Sequence, residues 1–140
     1  VSRRLAYACA LAGAAWAVPL PAAADCGMAL KAKQRWIAEA DGMQVAFVTQ
    51  PSPVPVGRHF ALRFAVCDAR AARSVRSVAV DADMPAHRHG MNYRASVSAR
   101  ADGLYDARGL MFHMPGRWRV IFDLALEDRT LRVTHELEVQ

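Results

Sequence analysis

The chain has 140 residues, 54% of them hydrophobic and 22% charged, with a formal net charge of +5. That is one domain's worth of chain with enough apolar residues for a single modest core, and no repeat, low-complexity tract or second domain is visible. Its basic residues are scattered apart from a run at 69–76, which argues against a nucleic-acid partner and makes that run a solvated loop.

The N-terminus reads as an export signal. Ser2-Arg3-Arg4 is a short basic region, residues 5–20 are apolar, and Ala22-Ala23-Ala24 before Asp25 offers a small-residue cleavage site. Residues 1–24 are therefore expected to be a secretory signal peptide and residues 25–140 a periplasmic domain. The apolar run is shorter than the roughly 18 to 20 residues that span a bilayer, and small residues follow it, so no stable membrane insertion is expected after cleavage. Loss of Arg3 and Arg4 leaves only a mild positive excess. Cys9 leaves with the signal, and Cys26 with Cys67 is the remaining pair. In an exported domain a lone pair reads as one disulfide, here tying the N-terminal segment to the end of a strand. Two thiolates joining a metal site are the competing reading, but neither has a nearby cysteine partner.

Hydrophobic alternation of period two dominates the rest. The stretch 28–40 is ambiguous and could hold a helical turn. Asp41-Gly42 then marks a hairpin before "MQVAFVTQ", because glycine accepts the positive φ of a tight turn. "PSPVPVG" at 51–57 lacks the amide donors of a central strand and reads as an edge or crossover. At 59–66, Phe60, Leu62, Phe64 and Val66 share one face, with His59 and Arg63 on the other. "SVAVDA" and "NYRASVSA" are strands on either side of a connection, and Asp102-Gly103 marks another hairpin. At 118–127, Trp118, Val120, Phe122, Leu124 and Leu126 point one way. "EDRT" at 127–130 turns the chain into a last strand with Leu131, Val133, Leu137 and Val139 on one face. Half-buried strands of this kind form antiparallel sheets with one wet face. Seven or eight of them predict an all-β fold, an immunoglobulin-like antiparallel β-sandwich.

The chemistry concentrates at "DADMPAHRHGMNYR", residues 81–94. Pro85 stiffens the start of the connection and Gly90 allows a bend at its end. If the segment between them is extended, His87 and His89 lie on the same side and can grip one ion. Met84 and Met91 bracket them with thioethers. Thioether sulfur favours Cu(I), and imidazole binds Cu(I), Cu(II) or Zn(II), so the mixed set leans toward copper, with Cu(I) favoured and Zn(II) an alternative. Methionines in β proteins usually fill core gaps, and Met84 continues the inward phase of Val78, Val80 and Ala82, which favours packing for that residue. In "MFHM" at 111–114, Met111 and His113 share a face opposite Leu110 and Phe112, so His113 is a further candidate ligand if strand order permits. Met114 reads as packing near Trp118. His59 and His135 read as structural.

At "VAVDADMPAHRHGMNYR" and "DGLYDARGLMFHMPGRWRVIFDL" the chain resembles the YtkA-like family and, more broadly, the FixH-like group of exported or membrane-attached β-sandwich domains. The most specific parts are the M-P-x-H-x-H-G-M run at 84–91 and the F-x-M-P-G-x-W run at 112–118. The resemblance implies Met84, His87, His89 and Met91 as ligands, Gly116 and Trp118 as fold markers, and partners among periplasmic or membrane proteins of copper-handling or oxidase-assembly systems. The similar CopC-like copper carriers begin on a histidine where this chain's expected mature start has Asp25, so their type of Cu(II) site is not implied. The expected function is periplasmic copper binding or copper transfer. The rival is a metal-free interaction or assembly module. No nucleophile with a supporting base and no close carboxylate pair stands out, so no enzymatic activity is expected.

Overall fold

The computed structural model describes residues 26–70 and 72–140; the expected signal peptide and its cleavage site lie outside the described residues. Among the described residues, alternation becomes nine strands: β1 (Trp36–Ala40), β2 (Met43–Gln50), β3 (His59–Asp68), β4 (Ser77–Met84), β5 (His89–Gly90), β6 (Ser96–Ala99), β7 (Tyr105–Met111), β8 (Gly116–Ala125) and β9 (Thr130–Val139). They form two antiparallel sheets, ordered β1-β2-β3-β7-β6 and β5-β4-β8-β9, packed as a sandwich. The expected seven or eight strands become nine because the histidine connection itself contributes the two-residue β5.

Inward-facing side chains from both sheets meet in one core. Phe47, Leu62, Phe64, Trp118, Phe122 and Leu124 are fully shielded from solvent. Phe122 of one sheet lies 5.3 Å from both Phe47 and Phe64 of the other, measured between ring centroids. Each such side chain contributes about 1.5–3 kcal/mol through burial, and aromatic pairs add about 0.5–1.5 kcal/mol, so this layer dominates cohesion between the sheets.

The Asp41-Gly42 hairpin forms as expected, with consecutive φ values of 48° and 74°. The β8–β9 hairpin closes with the Leu126 N–H donating to the Arg129 carbonyl at 2.8 Å. The 69–76 loop is organised rather than merely solvated. Asp68 accepts backbone N–H groups from Arg70, Ala72 and Arg73 and the guanidinium of Arg73, and this last bond chiefly holds its carboxyl far below the usual range. Arg73 also reaches Asp41, tying the loop to the first hairpin.

The helical turn entertained for residues 28–40 does not form. Residues 26–29 make a turn, and the alternation beginning at Trp36 pairs as β1. The N-terminal segment instead covers the outer face of the five-stranded sheet. Cys26 and Leu30 pack with Ala46, Val48, Ala65 and Leu104 in a second small cluster. Gly27 allows this close approach, because a Cβ there would lie 2.5 Å from the Ala46 Cβ. Cys26 and Cys67 are joined by the expected disulfide, across 41 residues of sequence. In the chain-entropy account a loop of that length contributes about 4 kcal/mol. Replacing both cysteines by serine should therefore lower the unfolding free energy by up to about 4 kcal/mol in chemical denaturation, with the second cluster loosening first in hydrogen exchange.

His135 sits where β9 meets β1, edge-on to Phe47 at 5.4 Å and hydrogen-bonded to the Ile37 backbone. Burial lowers its pKa, outweighing that bond. The unfolded chain thus binds the proton more readily, so this contribution is complete above the unfolded value of about 6.5 and declines as pH falls through it toward the folded value. His135→Phe should remove that part of the loss of melting temperature between pH 7 and pH 5, as seen by comparing the two proteins' pH profiles.

Candidate metal site at the end of the sandwich

The histidine connection is a tight hairpin, not an extended segment. The N–H groups of His87 and Arg88 both donate to the Met84 carbonyl at 3.0 Å, and Arg88 takes the left-handed conformation at φ 55°. The bend falls at Arg88 rather than at the expected Gly90. Gly90 is paired in β5 opposite Asp83, where a Cβ would stand 3.3 Å from the Ala82 carbonyl. The turn nevertheless brings the two imidazoles to 5.8 Å between centroids. His87 is exposed, whereas His89 is half-buried because it sits opposite Met84 on the face that turns toward the core.

His113 arrives from the other sheet. Between β3 and β7 the register shifts after Phe60 ↔ Leu110, so that Ala61 pairs with Arg108 and Gly109 is the extra residue of a bulge, with φ 87°. A bulge reverses the inward and outward phase of a strand. Ala107 therefore faces inward before it, Leu110 and Phe112 face inward after it, and Met111 and His113 face outward. The Gly57 N–H, donating to the Phe112 carbonyl at 2.7 Å, holds this strand end in place. His113 then lies 4.9 Å from His89.

Trp118 underlies both rings. Its centroid is 5.8 Å from His89 and 5.3 Å from His113, it stacks on Phe112 at 4.6 Å, and its indole N–H donates to the Met114 carbonyl at 3.0 Å. The resemblance marked it as a fold residue; it is also the floor of the site. Met84 is buried, and its methyl would lie 2.6 Å from a Cβ added to Gly116, whose φ is 125°. It packs in the core as its phase indicated, and it also lines a cleft of about 430 Å³ with Asp83, Arg88, His89 and Arg119. Met91 is placed differently. Its N–H donates to the Ala82 carbonyl, and its side chain lines a neighbouring cleft with Asp81, Tyr93 and Asp123.

The structure thus gathers His87, His89, His113 and Met84, while Met91 follows His89 by two residues, beyond the Asp83–Gly90 pair and opposite Ala82. Nδ1 of His89 is shielded from solvent and has no hydrogen-bond partner among the described residues. Among those residues no group of three or more His, Cys, Asp or Glu is arranged to hold a metal ion. Asp83 is not available for a hard cation, because Arg119 donates to its carboxylate at 2.9 Å. Sequence reasoning missed the bulge and this ion pair. A glycine inside an alternating strand is the signal that points to a bulge.

Gly116→Ala should destabilise the fold by about 1–3 kcal/mol, chiefly because a φ of 125° is strained for a residue with a side chain, while the flexible Met84 methyl, 2.6 Å from the added Cβ, shifts to make room. The denaturation midpoint measures the loss, and the chemical shift of the Met84 methyl should report its displacement.

No curated protein matches the chain. Among solved structures, a DUF4426 family protein from Pseudomonas aeruginosa is similar, with a TM-score of 0.48 and 8% identity over 76% of this chain and 96% of that one. The family model described as YtkA-like matches residues 37–123, a span from β1 into β8 that holds the histidine hairpin and the bulged strand. The chain belongs to the YtkA-like family.

Proposed function

We propose that this domain binds Cu(I) at the end of the sandwich and carries it to a periplasmic or membrane partner of a copper-handling or oxidase-assembly system. The observation that carries the proposal is the orphaned Nδ1 of His89, a residue whose ring neighbours those of His87 and His113 and which pairs opposite Met84. A buried polar atom left unpaired costs about 1–3 kcal/mol, and a metal ion at that nitrogen would remove the cost. Ligand chemistry supports copper over zinc. Structural zinc takes four N, S or O ligands, whereas a thioether with one or two imidazoles suits a soft monovalent ion.

In this arrangement His89 is the anchor, fixed by β5 pairing and by Trp118. His113 supplies a second imidazole from the other sheet. His87, exposed on the turn, is not held with these two imidazoles and would engage the ion only at entry or release. Met84 offers sulfur from the core side. An exposed ligand on a turn beside rigid ones suits hand-over between proteins, because an incoming donor can replace it before the others let go. The role is therefore carriage, without catalysis.

Anaerobic Cu(I) titration against a competing chelator tests the proposal. The wild-type protein should bind one equivalent more tightly than micromolar. His89→Ala should weaken that event at least about 100-fold, at the upper end of what removal of a residue merely supporting a ligand costs. Binding that is micromolar or weaker, and unchanged in His89→Ala, would falsify the proposal.

A further inference from the structure

The phase reversal at Gly109 turns outward not only His113 but also Met111, which lies two residues earlier on the same face and directly opposite His59 of β3. His59 is likewise outward, since Phe60 and Leu62 of the same strand are buried. Cross-strand partners on one face have Cβ atoms about 4.5–5.5 Å apart, a span that an imidazole and a thioether can close over a single ion. The ring of Tyr93 meets His59 edge-on at 5.0 Å and 77°. Next to the pair is an open cleft of about 310 Å³, lined by Gln50, His59, Asp106, Arg108 and Gly109.

We propose that His59 and Met111 form a second soft-metal subsite, for Cu(I) or Ag(I), on the outer face of the five-stranded sheet. Its electrostatics exclude the hard cations. The one carboxylate lining the cleft, Asp106, is held by Arg63 at 2.8 Å and by Arg100 at 3.3 Å, and Arg108 adds another positive charge beside it. Only an ion that gains from partly covalent bonds to nitrogen and sulfur is favoured among those arginines. One imidazole and one thioether bind more weakly than the set around His89, so this subsite fills second. Together the donors make a track around the end of the sandwich, from His59 and Met111 through His113 to His89 and His87. The subsite is independent of the reading given to His89, although the two share the β7 end.

Ag(I), a redox-inert stand-in for Cu(I), titrated into the full domain labelled with ¹³C at its methionine methyls tests the proposal, with signals assigned by Met→Leu variants. Two equivalents should bind, the first moving the Met84 methyl and the second the Met111 methyl. Met111→Leu, a volume-conserving change at a half-buried site, and His59→Ala should each remove the second equivalent and leave the first. In a His87→Ala/His89→Ala protein the Met111 signal should still move. A Met111 methyl that stays put through two equivalents overturns the subsite, whatever Met84 does. A Met84 methyl that stays put while Met111 responds counts against the first site alone.

Discussion

The indole of Trp118 is where the core ends and the site begins. One face is committed to Phe112, its N–H is committed to the Met114 carbonyl, and the whole ring is buried. The histidines of two different sheets rest against the same ring system. The locked indole gives His89, half-buried in β5, and His113, exposed just past β7, a common surface to pack against. A fully buried aromatic has little room to shift in an interior packed as densely as a crystal. The buried indole is thus the base of the cluster, and His87 and His113 stand at its solvent-facing rim.

Strand phase determines which donors reach that rim. Antiparallel pairing has a period of two, so a single extra residue exchanges the faces of everything that follows. Gly109 supplies that residue, and its φ of 87° is a conformation glycine adopts without the cost a side chain would bring. Without the bulge, Leu110 and Phe112 would face water while Met111 and His113 entered the core. One backbone irregularity thus serves packing and donor placement at once, the pattern expected of bulges near functional positions.

The charged groups have a different task. Asp68, Asp106 and Asp123 each bind an arginine, and hydrogen bonds from Arg73, Arg63 and Arg132 respectively lower their pKa values. Asp83 likewise pairs with Arg119 beside the histidine cleft. On the outer face of the five-stranded sheet, the disulfide and Gly27 hold the N-terminal segment over Ala46, Val48 and Ala65, so that an apolar strip stays covered.

Residue order alone was sufficient for the sandwich, the hairpins at Asp41-Gly42 and Asp102-Gly103, the inward phase of Met84 and the pairing of Cys26 with Cys67. These depend on local rules: alternation, turn chemistry, and the two cysteines that remain once residues 1–24 are read as an export signal. The grouping of His87 with His89 was also legible, but the extended geometry assumed for it was not the real one, since spacing cannot distinguish an extended strand from a hairpin with the same contacts. The meeting of His89 with His113, the separation of Met91, the floor provided by Trp118 and the pairing of His59 with Met111 were decided by tertiary structure. Each of these depends on strand order and register between segments far apart in sequence, and on one inserted glycine whose effect on facing is felt only once β3 is paired beside it.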